Sequence, residues 1–391
     1  MKLIDSSIGD ISEVLKTGKT PPSKNKEYFI HNYNWYTPGD IGLCKYLNKS
    51  ERGVSEKAIL DKKAFLYPEN SLLITCIGNI GRVGISKEKA ASNQQITAIK
   101  PKKEIDTNFL YYWFTKNQKL IHEKANNAVV PILNNKSLKE ISFSYPPLKT
   151  QKRIATILDD AQALKQKNEQ LLKEYDELAQ SIFLDMFGDP VTNPKGFEKG
   201  RIRDYVEEAK YGTSAKAGEE GEFPYLRMNN LTYSGYMDYS NLKYIDVPES
   251  NIHKYLVKKG DLLFNRTNSK ELVGKTAVFE SNTPMIAAGY LIRVRLKHGA
   301  SPYFIWGYLN SKHGKLVLNN MCKNIVGMAN INAQELQNIK ILKPDLSLQN
   351  QFAEKIKLIE QQKELAKKEL KESEDLFQAL LQKAFNNALN V

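Results

Sequence analysis

Pro146-Pro147-Leu148-Lys149-Thr150-Gln151-Lys152-Arg153-Ile154-Ala155 opens a stretch that runs to Phe187 with no further glycine or proline. Pro344-Asp345-Leu346-Ser347-Leu348-Gln349-Asn350-Gln351-Phe352-Ala353 stands 198 residues later and opens a second such stretch. Proline disfavours helix in the residue before it, so each opening reads as an extended approach into a long helix. The first helix has a stop signal in Phe187-Gly188-Asp189-Pro190.

Working outward, the matches continue in order along the chain. Ile8-Gly9-Asp10 meets Ile202-Arg203-Asp204, Gly18 meets Gly212, Leu72-Leu73 meets Leu262-Leu263, and Val83-Gly84 meets Val273-Gly274. Asn134, Leu138 and Ile141 meet Asn332, Leu336 and Ile339. A fixed order with a slowly drifting offset is the mark of an internal duplication with loop insertions. Each copy begins with about 145 residues of mixed character: short β-rich runs, such as Ser71–Ile77 and Gly289–Leu296, broken by turn residues, with short helical stretches around Phe109–Asn117 and Tyr303–Ser311.

The long stretches carry a 4,3 spacing of apolar or small residues. In the second it falls on Phe352, Ile356, Ile359, Lys363, Ala366, Leu370, Ser373, Phe377, Leu380 and Ala384. In the first it falls on Ile154, Leu158, Ala161, Lys165, Asn168, Leu172, Tyr175, Ala179, Ile182 and Met186. A sustained period of 3.5 residues predicts coiled-coil packing, with the polar members fixing register. At ~1.5 Å per residue each helix spans about 55 Å, more than its own globular part can cover. The other copy, packed antiparallel, is the economical partner; the alternative is that each helix docks only on its own globular part. The expected fold is α+β: two similar mixed α/β domains, each followed by a long helix, the helices forming an antiparallel coiled coil with pseudo-twofold symmetry. The expected boundaries are 1–147 and 189–345 for the globular domains, and 148–188 and 346–391 for the helices.

The chain's 57 Lys and Arg against 44 Asp and Glu give a net charge of +13. Residues 151–187 hold five basic and seven acidic side chains, and residues 349–391 hold seven of each. The remainder therefore carries +15. A neutral scaffold with basic heads is the pattern of modules that contact a polyanion.

Catalytic signatures are missing from the sequence. It has no GxxxxGK[ST] loop and no GxGxxG fingerprint. Tyr145-Pro146-Pro147-Leu148 lacks the Asn and the aromatic of an amino-methyltransferase motif. Pro344-Asp345 with Glu369-Leu370-Lys371 matches a nuclease pattern literally, but ~24 helical residues, about 36 Å, would separate the carboxylates. Cys44, Cys76 and Cys322 form no paired motif, and His31, His122, His253, His298 and His313 show no metal spacing, so free thiols and no metal are expected. No apolar run approaches the ~18 residues that span a bilayer, and no signal sequence opens the chain, so the expected location is the cytoplasm.

What remains are polar loops rich in residues that pair with base edges and phosphates. In the first domain the candidates are Lys19, Thr20, Lys24 and Lys26, Asn79 and Arg82, and Gln94 and Gln95. In the second they are Thr213, Ser214 and Lys216; Arg227, Asn229 and Asn230; and Asn265, Arg266, Asn268, Ser269, Lys270 and Lys275.

The order of a mixed domain, a Pro-Pro-Leu-x-x-Gln-x-x-Ile-Ala junction and a long helix resembles the specificity subunits of type I restriction-modification systems. Gly260–Arg266 and the Met186-Phe187-Gly188-Asp189-Pro190 exit are similar to such subunits too, and the resemblance covers essentially the full length. It implies two target recognition domains, each reading one half of a split double-stranded DNA site, and helices that set the gap between the halves. It implies as partners two modification subunits, which bind S-adenosylmethionine, and restriction subunits, which use ATP. The chain itself is then expected to be non-catalytic and to hold no cofactor. The alternative is a two-headed coiled-coil adaptor without defined sequence specificity.

Overall fold

Ser71–Thr75 is buried along its whole length because its two faces serve two cores. Side chains alternate across a strand. Leu72 and Ile74 join one apolar cluster and Leu73 another. The same division recurs in the second copy, where Leu262 and Phe264 face one cluster and Leu263 the other. The computed structural model describes residues 3–125, 130–325 and 328–386. The last five residues of the expected second helical segment lie outside the described residues. The chain divides into two compact units, Met1–Lys167 with Glu369–Val391, and Asn168–Lys368.

In the first unit, Ser71–Thr75 is an inner strand of a four-stranded antiparallel sheet, between Ile96–Pro101 and Val83–Ser86, with Ser12–Thr17 on the far edge. Helix Thr107–Lys116, capped by Asp106 through the Phe109 N–H at 2.9 Å, covers one face with Phe109, Leu110, Trp113 and Phe114. The second unit repeats this sheet as Val206–Tyr211, Leu291–Leu296, Leu262–Asn265 and Thr276–Val278. Even the irregularity repeats: the edge strand shifts register between Ser12 and Val14 in one copy and between Val206 and Glu208 in the other.

The structure corrects one expected match. Thr75 N–H donates to Arg82 O at 3.0 Å and Gly81 N–H to Thr75 O at 2.9 Å; Asn265 and Lys275 repeat the first bond at 2.8 Å, and Gly274 and Asn265 the second at 2.8 Å. Gly81, not Gly84, is therefore the counterpart of Gly274. The loop between is three residues longer in the second copy, which slid the sequence match.

The two long helices run Leu148–Phe187 and Leu346–Phe385. Gly188, at φ +76°, ends the first as a left-handed cap. All twenty seam positions are buried or half-buried. Within the first unit, Ile154, Ala155 and Leu158 enter the head's core together with Leu381 and Ala384. The Phe109 ring lies 5.2 Å from Phe385, and Lys165 pairs with Glu374 at 3.2 Å. Within the second unit, Phe183 and Phe187 of the first helix lie 5.7 and 5.3 Å from Phe352 of the second. In both units the helix segments run antiparallel, and each head is sealed by segments of both helices.

Gln151 and Gln349 explain the junction motif. Gln151 is fully buried; its amide donates to Glu104 O at 3.0 Å and Pro146 O at 2.8 Å and accepts from Asp106 N–H at 2.9 Å. Gln349 donates to Pro344 O at 2.9 Å and accepts from Ser301 N–H at 3.0 Å. Each glutamine ties the start of its long helix to the loop that caps a short head helix.

Candidate nucleic-acid interface

In both heads the edge strand leaves the sheet at a glycine. Gly212 N–H donates to Leu291 O at 3.1 Å and Thr213 N–H to Ala287 O at 2.9 Å. A Cβ on Gly212 would fall 2.1 Å from Ala287 O, so no other residue lets the backbones approach this closely. The next residues, Thr213–Ala217, are thereby laid beside Gly289 and Tyr290, and Gly289 N–H donates to Thr213 O at 2.7 Å. Gly18 makes the same departure in the first head, donating to Ile96 O at 2.9 Å.

Three loops of the second head converge on one recess of about 600 Å³. Thr213, Ser214, Lys216, Arg227, Asn229 and Arg266, all expected from the sequence, line it. Met228 and Thr267 of the same candidate loops line it too, together with Tyr225, Lys243 and Tyr290, which were not anticipated. Tyr290 is half-exposed, and its position beside the Gly212 departure is set by strand register, which no local motif reveals. The described lining residues include the cations Lys216, Arg227, Lys243 and Arg266 and no carboxylate, although Lys243 pairs with Glu219 beside the recess.

The remaining second-head candidates lie around the recess. Asn230 is buried; its amide donates to Asp238 O at 2.9 Å and Asn241 O at 3.2 Å, and its oxygen accepts from Arg227 N–H at 2.9 Å. Lys275 is buried behind the same turn and donates to Met228 O, and burial pulls its pKa below the usual lysine value. Asn265 is fully buried, and among the described residues neither of its amide atoms has a hydrogen-bond partner. Asn268 accepts from Ser269 N–H at 2.9 Å, and Lys270 is exposed at the loop's tip.

Arg266 is pinned on both sides. Its N–H donates to Tyr290 O and its carbonyl accepts from Ile331 N–H, each at 2.9 Å. Its guanidinium lies 4.6 Å from the Tyr211 ring centroid. The first head uses the same two backbone bonds around Cys76: its N–H donates to Gln95 O at 2.7 Å and its carbonyl accepts from Leu133 N–H at 2.9 Å. Burial pushes the Cys76 thiol up to about 11, so it is a packed, protonated side chain.

In the first head Thr20 donates to Gln94, and Gln95 Oε1 accepts from Asn93 at 3.0 Å, so those loops meet. Lys19 donates to Lys62 O at 2.8 Å. Asn79 and Arg82 are exposed on the neighbouring loop, and Lys24 and Lys26 are exposed further along the 18–26 segment. A separate concavity of about 430 Å³, with His31, Tyr33, Lys49, Lys87 and Lys89 on its wall, was not anticipated. Its lysines are scattered in sequence and are gathered only by the fold.

A cavity of about 680 Å³ in the second unit suits a polyanion poorly, since Asp238, Glu280, Glu360 and Glu364 line it against Lys363 and Lys367. Among the described residues no group of three or more His, Cys, Asp or Glu could hold a metal ion. No described helix is long and apolar enough to cross a membrane.

A duplicated mixed head, each copy sealed by segments of both long helices and the second bearing a recess lined by four basic side chains and no described carboxylate, defines a class of internally duplicated α+β protein. The family described as the type I restriction modification DNA specificity domain matches twice, over residues 4–174 and 194–374, and the chain belongs to that family. The type I restriction enzyme MjaIX specificity subunit of Methanocaldococcus jannaschii is 30% identical over an alignment covering 57% of each chain. The chain thus spans little more than half of that relative's length. The MjaVIII specificity subunit of the same organism is 23% identical over 94% of this chain and 88% of its own. The crystal structure of a type I restriction-modification S subunit from M. genitalium covers 98% of this chain and 96% of its own, with a TM-score of 0.56 at 17% identity, which supports the fold.

Proposed function

We propose that this chain is the DNA specificity subunit of a type I restriction-modification enzyme and reads a bipartite site without catalysing a reaction itself. In this reading residues 1–147 and 189–345 are the two target recognition domains. Residues 148–188 and 346–391 are the helices that join them and scaffold two modification subunits and the restriction subunits in the cytoplasm. The single observation that carries the reading is the second head's recess, where six side chains from three loops meet with no described carboxylate among them. Direct readout needs such a convergence of fixed donors and acceptors, whereas a merely basic surface does not.

The test is retention of DNA by the purified chain with its modification subunits, comparing the host's methylated bipartite sequence with a scrambled duplex across a salt series. Retention of the cognate duplex at salt that releases the scrambled one is expected. A sequence-independent shift that vanishes at moderate salt would replace this reading with that of a non-specific adaptor.

A further inference from the structure

We infer that Arg266 reads a guanine, so that the half-site taken by the second head contains a G·C pair at the position facing it. The inference rests on the reading of the chain as a DNA specificity subunit.

Residues 189–345 contain six arginines. Five are occupied internally. Arg201 and Arg203 donate to Asn338, Arg227 to Asn241, and Arg293 and Arg295 to Glu208. Among the described residues the Arg266 guanidinium has no hydrogen-bond or ion-pair partner, and its Nε is buried without one. What it has is a support: the Tyr211 ring at 4.6 Å, itself anchored by a hydroxyl that accepts from Ala333 N–H at 3.0 Å. Contact with a ring face fixes the guanidinium without consuming an N–H.

A planar fork of donors held this way matches two acceptors side by side. Guanine presents such a pair, O6 and N7, in the major groove, whereas adenine offers one acceptor beside a donor. A phosphate can also accept two parallel bonds from the fork, but its tetrahedral oxygens can meet a donor pair in more than one plane, whereas a base edge offers its two acceptors in one plane only. The aromatic support and the recess wall therefore favour a base edge. The first head supplies the contrast. At the same backbone position it carries Cys76, buried, and Thr17 stands where Tyr211 does, its hydroxyl donating to Asn135 at 2.9 Å. That head has the same mount without the fork.

The experiment selects binders from duplexes randomised in both half-sites, using the chain assembled with its modification subunits at one fixed salt concentration. The unaltered complex is expected to enrich a G·C pair at one fixed position of the second half-site. Arg266→Ala should lower the preference for that pair on the order of ten- to a hundredfold and leave the first half-site's preferences intact. Those intact preferences also report that the variant is folded and assembled. Arg266→Gln should weaken the preference for guanine and move it toward adenine. Equal weakening of every sequence by Arg266→Ala would make the contact a phosphate contact and overturn the inference, as would unchanged preference. Enrichment of no sequence by the unaltered complex overturns the specificity reading itself, and the guanine assignment with it.

Discussion

Lys363 of the second long helix forms an ion pair with Asp176 of the first, the lysine side chain 6% exposed and the aspartate 38%. Lys363 is one of the polar members of the heptad seam, and its ammonium also lies 3.4 Å from the centroid of the Tyr236 ring. Burial pulls its pKa below the ordinary lysine value, and Asp176 pushes it partly back. The two partners are thus unequal. Asp176→Ala strands a buried ammonium and should destabilise the second unit by about 1–3 kcal/mol, below the range for fully buried pairs because Asp176 is partly hydrated. Lys363→Met leaves a carboxylate that water can solvate and fills the seam with an apolar chain, so its effect should be under ~1 kcal/mol or stabilising. Urea denaturation of the two variants checks the asymmetry; equal losses would contradict it.

The buried glutamines of the junction motif give a second expectation. Gln151→Ala leaves the Asp106 N–H and the Glu104 and Pro146 carbonyls without their partner, and Gln349→Ala does the same to Ser301 N–H and Pro344 O. Each unsatisfied buried group costs about 1–3 kcal/mol, partly offset where water can reach it, so each variant should lose about 2–4 kcal/mol of stability. Half-site preferences of the surviving folded protein should not change. Denaturation midpoints and the duplex selection together separate this role from base reading.

These cases also mark what was legible from the sequence. The duplication, the helix starts and the seam were readable because period and order are one-dimensional properties: every seam residue from Ile154 to Ala384 is at least half-buried. Gln151 was visible as a match, but not as a clamp, because its partners Glu104 and Asp106 lie more than forty residues upstream. The recess was half legible. Arg266, Arg227 and Thr213 stood out as residue types that contact DNA, whereas Tyr290 and Lys243 reach it through strand register. Asn265 and Lys275 have the same chemistry as their neighbours but are buried, Asn265 at the end of a strand with a core on each face and Lys275 beneath the Met228 carbonyl, placements that only the fold sets. The slipped match at Gly84 has the same origin: the turn geometry that aligns Gly81 with Gly274 is set by hydrogen bonds across the loop.

The glycine departures predict a localised defect. Gly212→Ala places a Cβ 2.1 Å from Ala287 O and 2.3 Å from Ala288 O, both backbone atoms of a buried strand segment. The strand must shift, at a cost of about 1–3 kcal/mol typical of overpacking. The Thr213–Ala217 loop should then exchange its amide hydrogens faster, while the counterpart loop after Gly18 keeps its wild-type protection. Hydrogen exchange resolved by peptide checks this, and equal loosening of both loops would rule out a local cause.

Glu360 predicts a pH dependence. It lies on the second long helix and accepts from Tyr303 Oη at 3.1 Å; Glu280 faces it as a like charge, and Lys357 and Lys363 as opposite charges. Burial, the largest cause, raises its pKa to about 7 from the usual 4.5, and Glu280 adds to the rise against the lysines and the tyrosine. Between those values the folded protein holds a proton that the unfolded chain releases. The contribution is therefore fully present below about pH 4.5 and is lost as pH rises through about 7. Glu360→Gln keeps an acceptor for Tyr303 and removes the titration. The variant should match the unaltered protein near pH 4.5 and exceed it at pH 8 by at most about 3 kcal/mol, reduced by whatever solvent screens. The difference between the two stability curves, measured by urea denaturation from pH 4.5 to 8, isolates this group from every other titration; parallel curves would place its pKa near that of an ordinary carboxylate.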